Sequence, residues 1–163
     1  MNRANELIQN YGMRQHPEGG WFIEGYTAPY MYQSDREACG SIYFLLSETD
    51  ISHFHVIDCD EIWYYHEGCG MLITMIDPNG KVNVVKLGMD IANDEKAMVV
   101  IPKGVIFAAE NLDNTSYTFV SCVTTPQFRY TGFRLVKESE VTCDISKMHH
   151  LFMDDEQIDH MNF

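Results

Sequence analysis

The segment SHFHVIDCDEIWYYHEG, residues 52–68, holds the side chains best suited to chemistry. His53 and His55 are two residues apart, and alternate residues of a strand point to one face, so both imidazoles can enter the same cavity. Glu61 follows at the start of an aromatic run and can bring a carboxylate to the same point. Two histidines and one carboxylate can bind Fe, Mn, Ni or Zn while leaving positions open for substrate. We therefore expect His53, His55 and Glu61 as ligands of a divalent metal.

The same residues also allow chemistry without a metal. One or both histidines can instead hydrogen-bond the backbone or a substrate, and Glu61 can accept a bond from a neighbouring strand. In a metal-free site His55 is the candidate general base at a carbon beside a carbonyl, and Tyr65 is the candidate acid that returns the proton. Both interpretations stay open on the sequence alone.

Aromatic side chains on the candidate strands suit the binding of a flat ring. Tyr43, Trp63 and Phe107 form one wall if their strands face inward, and such rings stack on sugars or purines. Glu24 alternates with Phe22 and can line this pocket or a dimer interface. The sequence thus predicts a pocket for a small-molecule ligand, which serves either catalysis or binding alone.

A second motif, HPEGG, lies upstream at residues 16–20. Its paired glycines allow the backbone to approach a ligand or partner closely, which would give His16 a functional role. The simpler interpretation is a structural turn that leads into the first strand.

The elements that must position these residues are short strands. From about residue 20 to 136 the chain consists of short runs rich in Val, Ile, Tyr, Phe and Thr, separated by Gly, Pro, Asn and Asp. The sequence DPNG at 77–80 predicts a hairpin turn, and the last predicted strand is FRYTGFRLV at 128–136. Because a barrel or a double sheet removes exposed strand edges, this pattern predicts an all-β barrel. Helical spacing at 3–12 and in the tail at 147–161 predicts short N- and C-terminal helices.

Composition limits the class of protein. The 163 residues fit a single domain, residues 1–163, and the net charge of −13 repels nucleic-acid phosphates and anionic lipids. We therefore expect no nucleic acid and no membrane as partners. Without a long apolar run or a cleavable leader, the sequence predicts a cytoplasmic protein. Five scattered cysteines, an odd number, disfavour a disulfide framework.

Several motifs together resemble the cupin superfamily and, within it, the fifth cupin domain family. The pattern His-x-His, then Glu, then six residues to Gly68 resembles the first cupin motif. The second motif's Pro-x-Gly turn is similar to VVIPKGVIF at 99–107, and the family's order also appears in HPEGGWFIEGY at 16–26, SIYFLL at 41–46 and FVSCVTTPQFRYTGFRL at 119–135. The resemblance implies a cupin-type jelly-roll β-barrel, usually a homodimer, with a pocket at one mouth. It also implies similarity to the nucleotide-sugar epimerases of the rhamnose pathway.

Two departures from the cupin pattern bear on metal binding. Five residues separate His55 from Glu61, a longer spacing than metal-binding cupins usually have, and the histidine of the second motif falls near Phe107, which cannot coordinate a metal. Cupins also include both enzymes and binding proteins, so the fold does not choose between them. We expect a metal-dependent or epimerase-like enzyme acting on a sugar-like or carbonyl-containing metabolite, or else a non-catalytic cupin that binds a small ligand.

Overall fold

Short alternating segments of the chain build two facing β-sheets. The computed structural model describes residues 2–33 and 35–163. Its helices are α1 (Arg3–Tyr11) and α2 (Asp155–Asp159). In chain order the strands are β1 (Arg14–Gln15), β2 (Trp21–Thr27), β3 (Met31–Gln33), β4 (Arg36–Glu37), β5 (Gly40–Ser47), β6 (Ile51–Val56), β7 (Asp60–Gly68), β8 (Met71–Ile76), β9 (Val82–Leu87), β10 (Glu95–Lys96), β11 (Met98–Ile101), β12 (Ile106–Asn111), β13 (Tyr117–Thr125) and β14 (Arg134–Leu135).

The first sheet has the strand order β1-β2-β5-β13-β7-β11, and the second has the order β10-β9-β8-β12-β6-β14. All neighbours are antiparallel except β9 and β10, and β3 and β4 form a separate hairpin. The two sheets are not closed into one hydrogen-bonded barrel. Together with the two short helices, this architecture confirms the predicted all-β cupin-type fold.

The main core lies between the sheets, where each strand sends every second side chain inward. Phe44, Trp63, Met71, Ile73 and Phe107 are among its fully buried members. Burial of each large apolar side chain contributes roughly 1.5–3 kcal/mol to folding, so this layer is the main source of stability. The sandwich therefore gives any cavity between the sheets rigid walls.

Helix α1 covers part of the outer face of the first sheet. The side chain of Asn2 accepts a hydrogen bond from the backbone of Asn5 at 2.9 Å and begins the helix, and Gly12 ends it with a φ of 64°. Leu7 packs with Leu45 and Phe119 on that face. The helix thus leaves the inner face of the sheet free to form the site.

Two local features differ from the sequence-based expectation. The predicted strand at 128–136 is instead a 3₁₀ turn at Tyr130–Gly132 followed by the short β14, because Phe128 and Phe133 pack inward from a loop. The second difference is strand β6 (Ile51–Val56), for which the residue pattern predicted no beginning or end.

Within the described part of the chain, no helix is long and apolar enough to cross a membrane.

A β-bulge in β6 decides which of its side chains face inward. Phe107 of β12 lies opposite His55, whereas Ala109 lies opposite Ser52, so three residue steps on β6 match two on β12. Residues that pair across strands share a face, so Ser52 and His55 both point into the sandwich. The extra residue of the bulge removes His53 from that face.

Candidate functional site

A cavity of about 160 Å³ lies between the two sheets and is the candidate active site. Most of its wall comes from the first sheet, and His55 enters it from the second. Aromatic side chains form much of the wall, and ionisable groups are grouped on one part of it. Its lining includes His16, Glu18, Phe22, Glu24, Phe44, His55, Glu61, Trp63, Cys122, Thr124, Gln127, Phe128, Arg129 and Tyr130.

The HPEGG turn carries Glu18 into this cavity. Gly19 has a φ of +110°, and a Cβ atom there would lie 1.9 Å from the carbonyl oxygen of Ile51. Gly20 has a φ of +78°, and a Cβ atom there would lie 2.7 Å from Leu46. Only glycine tolerates this combination of positive φ and close approach, so Gly19 lets the turn press against β6 and Gly20 lets it press against β5. As a result Glu18 is only 6% exposed.

The Glu18 carboxyl group lies close to three buried polar side chains. Its Oε2 lies 3.0 Å from Nε2 of His55 and 3.5 Å from Nδ1 of His16. The hydroxyl of Ser52 donates to its Oε1 at 2.8 Å. Buried polar groups need such partners because an unpaired one costs several kcal/mol. Glu18 and His55 therefore form one close polar pair inside the cavity.

Hydrogen bonding indicates which member of the pair carries the proton. Nδ1–H of His55 donates to the carbonyl oxygen of His53 at 2.7 Å, so its Nε2 offers a lone pair to Glu18. Burial raises the pKa of Glu18 well above its usual value, and the nearby Glu61 adds to the rise. Burial lowers the pKa of His55 to about 4. Both shifts favour the uncharged form of the pair, a protonated Glu18 beside a neutral His55.

His16 is a second neutral imidazole beside the pair. Burial, with smaller effects of His55 and Arg14, lowers the pKa of His16 to about 3. The backbone N–H of Glu18 donates to its Nδ1 at 3.3 Å, which fixes that nitrogen as an acceptor. His16 packs edge-on against Phe22, with ring centroids 4.7 Å apart. Its ring therefore forms part of the wall as a neutral group.

Glu61 is the second buried carboxyl group of the cavity. Burial raises its pKa to about 7, while the indole of Trp63 and the thiol of Cys122 partly oppose the rise. The indole N–H of Trp63 lies near the carboxyl without reaching hydrogen-bonding geometry, and it has no other partner among the described residues. At neutral pH Glu61 is therefore divided between its protonated and ionised forms.

The structure places four of the predicted site residues in the cavity lining. These are His55, Glu61, Trp63 and Glu24, of which Glu24 lies at the exposed rim, 3.6 Å from Arg14. Phe107 is fully buried directly behind His55, with ring centroids 4.1 Å apart. It supports the imidazole and does not line the cavity.

His53, Tyr43 and Tyr65 lie outside the cavity lining. The ring of His53 is displaced by the β6 bulge, and its Nδ1–H donates to the carbonyl oxygen of Glu18 at 2.7 Å. Tyr43 alternates with inward-facing neighbours on β5 and therefore packs on the outer face, 5.4 Å from Phe119. Tyr65 lies on the inner face of β7 but beyond the cavity. Its hydroxyl donates to the carbonyl oxygen of Gly68 at 2.7 Å. A tyrosine in the lining is instead Tyr130.

Sequence reasoning missed Glu18, which is central to the site. The residue belongs to the HPEGG motif, where a carboxylate before two glycines was an available signal. A polar turn is usually exposed, however, and only the contact between this turn and β6 buries Glu18. Gln127 of the lining was likewise missed, because it lies in the connection just before the predicted strand at 128–136.

The predicted metal ligands do not converge on one point. His53 is directed at a backbone carbonyl, and Phe107 fills the space behind His55. Glu18 and His55 direct their donor atoms at each other, not toward a shared open position. Across residues 2–33 and 35–163, no three His, Cys, Asp or Glu side chains are grouped to hold a metal ion. As placed, these residues do not fit the predicted divalent metal site.

Comparison with known proteins identifies the class of this fold and site. The family model of the cupin superfamily described as DUF985 matches residues 5–136, so the chain belongs to this cupin family. An uncharacterized protein of Saccharomyces cerevisiae, YML079W, is 27% identical over 150 residues, which cover 81% of this chain and 74% of the yeast protein. The crystal structure of protein SO0799 from Shewanella oneidensis superposes with a TM-score of 0.81 and 34% identity, over 86% of this chain and 88% of that one.

A more distant structural neighbour is an enzyme. Oxalate decarboxylase from Bacillus subtilis matches with a TM-score of 0.58 and 18% identity, over 77% of this chain but 30% of the enzyme. At that identity the likeness concerns the fold alone. That bacterial enzyme has Mn(II) centers.

Proposed function

We propose that this protein is an acid–base enzyme, an isomerase or epimerase, that moves a proton at a carbon beside the carbonyl group of a small metabolite. The observation that carries the proposal is that two carboxyl groups, those of Glu18 and Glu61, are buried in one cavity together with the His55 imidazole. Glu18 holds a proton against His55, and Glu61 ionises near neutral pH. Environments that separate the pKa values of two carboxyl groups are typical of acid–base active sites.

The proposed reaction assigns one role to each carboxyl group. The ionised Glu61 accepts the proton from the carbon, and the electron pair of the broken C–H bond moves to the carbonyl oxygen. Glu18 donates its proton to that oxygen, which gives a neutral enediol when the deprotonated carbon carries a hydroxyl group. Glu61 then delivers its proton to the former carbonyl carbon, and the hydroxyl proton of the first carbon returns to Glu18, so that the isomeric carbonyl compound forms and both groups regain their starting states. His55 orients the Glu18 proton through their 3.0 Å contact and is a positioning residue in this scheme. In this scheme an ionised base and a protonated acid are present at the same pH.

Two other features support this assignment. The apolar wall formed by Phe22, Phe44 and Trp63 lowers the polarity around the carboxyl groups, which strengthens electrostatic interactions inside the cavity. The resemblance to nucleotide-sugar epimerases concerns the same type of proton transfer, and it stays a prediction. In this scheme Tyr65 has no role, because its hydroxyl is bound to a carbonyl group elsewhere.

Two alternatives predict different results. A non-catalytic binding protein would use the same aromatic wall without proton transfer. A metal enzyme would need Glu18 and His55 to give up their 3.0 Å contact and turn toward a bound Fe, Mn, Ni or Zn ion. Elemental analysis of tag-free protein tests the metal, because a stoichiometric ion lost on His55→Ala would support that alternative.

The test of the proposed activity is hydrogen exchange in deuterium oxide. Small hydroxyketones and aldoses are incubated with the protein, and loss of the proton signal beside the carbonyl is followed by NMR. We expect exchange by the wild type, and a loss of roughly 100-fold or more in Glu61→Gln and in Glu18→Gln. Glu156→Gln, which changes an exposed glutamate of α2, is the matched control. Equal exchange by wild type and Glu61→Gln would refute the assignment, and binding without exchange would favour the binding protein.

We also propose that two copies associate as a homodimer through the outer face of the first sheet. Met98 and Val100 of the edge strand β11 are each 48% exposed, and Met98 lies opposite the exposed Tyr64 of β7. Contiguous exposed apolar side chains of this kind are typical of contact surfaces. Light scattering should give a dimer for the wild type and a monomer for Val100→Lys, whereas a monomeric wild type would contradict the proposal.

A further inference from the structure

The charges around the cavity indicate which ligands it accepts. Arg129 is the one Lys or Arg side chain in the lining. Its guanidinium lies 3.5 Å from the carboxylate of Glu37 and 3.9 Å from that of Asp35, so its charge is already compensated. It is also partly exposed at the mouth of the cavity. Among the described residues, the interior of the cavity therefore has no Lys or Arg side chain to offer a ligand.

The other ionisable groups of the interior are also unfavourable for an anion. His16 and His55 are buried and direct nitrogen atoms at the Glu18 carboxyl group. Both imidazoles are neutral near pH 7, because burial lowers their pKa values. The carboxyl groups of Glu18 and Glu61 would lie close to any ligand. An anion placed here would lose its hydration without gaining an opposite charge, which costs several kcal/mol.

The size of the cavity and the net charge of the protein also disfavour large or anionic ligands. A volume of about 160 Å³ is below the roughly 300–1,000 Å³ of pockets that take drug-sized ligands. The net charge of −13 also slows the approach of anions. A cation could pair with Glu61, but it would then block the base that the proposed reaction needs.

We propose that the substrate is a small, uncharged carbonyl compound, and that carboxylates, phosphates and nucleotide-linked sugars are excluded from the cavity. The carbonyl part of this inference rests on the proposed function, whereas the exclusion of anions rests on the charges of the lining alone. On this proposal the protein shares its type of proton transfer with nucleotide-sugar epimerases but does not bind a nucleotide-linked substrate.

Binding is tested with matched neutral and anionic probes. Hydroxyacetone is compared with pyruvate, and dihydroxyacetone with its phosphate, by titration of ¹⁵N-labelled protein. The indole N–H signal of Trp63 reports on the cavity, and that of Trp21, which packs toward α1 on the outer face, is the internal control. We expect the neutral probes to shift the Trp63 signal, and the anions to bind at least tenfold more weakly. Anions that bind as tightly as their neutral partners, or neutral probes that leave Trp63 unchanged, would overturn the inference.

A variant identifies the cause of the exclusion. Glu61→Gln keeps the size of the side chain and removes its negative charge, so the preference for hydroxyacetone over pyruvate should decrease severalfold. Glu156→Gln should leave the preference unchanged. Because binding and exchange are measured separately, neutral binding without exchange would refute the proposed enzyme and retain the ligand class. Exchange on an anionic substrate would retain the proposed enzyme and refute the ligand class.

Discussion

Replacing Glu61 by glutamine should change how stability depends on pH. Glu61 is 8% exposed, and burial raises its pKa from the ordinary value of 4.5 to about 7. The folded protein therefore holds this proton more tightly than the unfolded chain does. Stability that Glu61 contributes in its protonated form is present at low pH and is lost as the pH rises from about 4.5 to about 7. Glutamine does not titrate, so the variant lacks this loss.

The magnitude follows from the size of the pKa shift. A shift from 4.5 to about 7 corresponds to about 3 kcal/mol when the pH lies above both values. Most of this appears between about pH 5 and about pH 8, so the stability of Glu61→Gln relative to wild type should increase by roughly 2–3 kcal/mol over that interval. The comparison cancels the opposite contributions of His16 and His55, which both proteins share.

Urea unfolding followed by tryptophan fluorescence measures this difference. Wild type, Glu61→Gln and the exposed control Glu156→Gln are unfolded at the two pH values, and the control should show no such trend. A difference between wild type and Glu61→Gln that stays constant with pH would refute the conclusion that Glu61 is buried with a raised pKa.

Other substitutions test how the HPEGG turn is held. Gly19→Ala should destabilise the protein by several kcal/mol more than Gly104→Ala, because both residues have positive φ but only at Gly19 would the Cβ meet a backbone oxygen, that of Ile51 at 1.9 Å. Urea unfolding compares the two variants, and equal losses would contradict the close approach. His53→Ala removes a hydrogen bond to the carbonyl of Glu18 and should cost about 1 kcal/mol. It should also slow solvent exchange at the substrate carbon without weakening ligand binding, whereas unchanged exchange would show that this bond does not position the acid.

The fold could be predicted because its determinants are local. Alternation of apolar and polar residues defines strands such as β5, β8 and β13, and DPNG at 77–80 joins β8 to β9 as expected. Alternation also made His55 and Trp63 candidates for an inward face, and the structure places both in the cavity lining. The segment at 128–136 was assigned incorrectly, because its aromatic residues have strand-like composition but pack from a loop.

The missing part of the site depends on contacts between distant residues. The orientation of His53 is set by a bulge that exists only when β6 pairs with β12, so the simple alternation rule does not apply to it. Glu18 enters the cavity only because the carbonyl oxygen of its turn accepts the backbone N–H of His53 at 2.9 Å. Neither contact is visible in a short window of sequence.

The protonation states of the two cavity carboxyl groups test the account most directly. ¹³C NMR of protein labelled at the glutamate carboxyl carbons, with Glu18→Gln and Glu61→Gln for assignment, follows both groups without knowledge of the substrate. We predict that Glu61 titrates near pH 7 while Glu18 stays protonated through the same transition. If both groups are ionised below about pH 5 and His55 carries the proton instead, the acid and base assignments are contradicted.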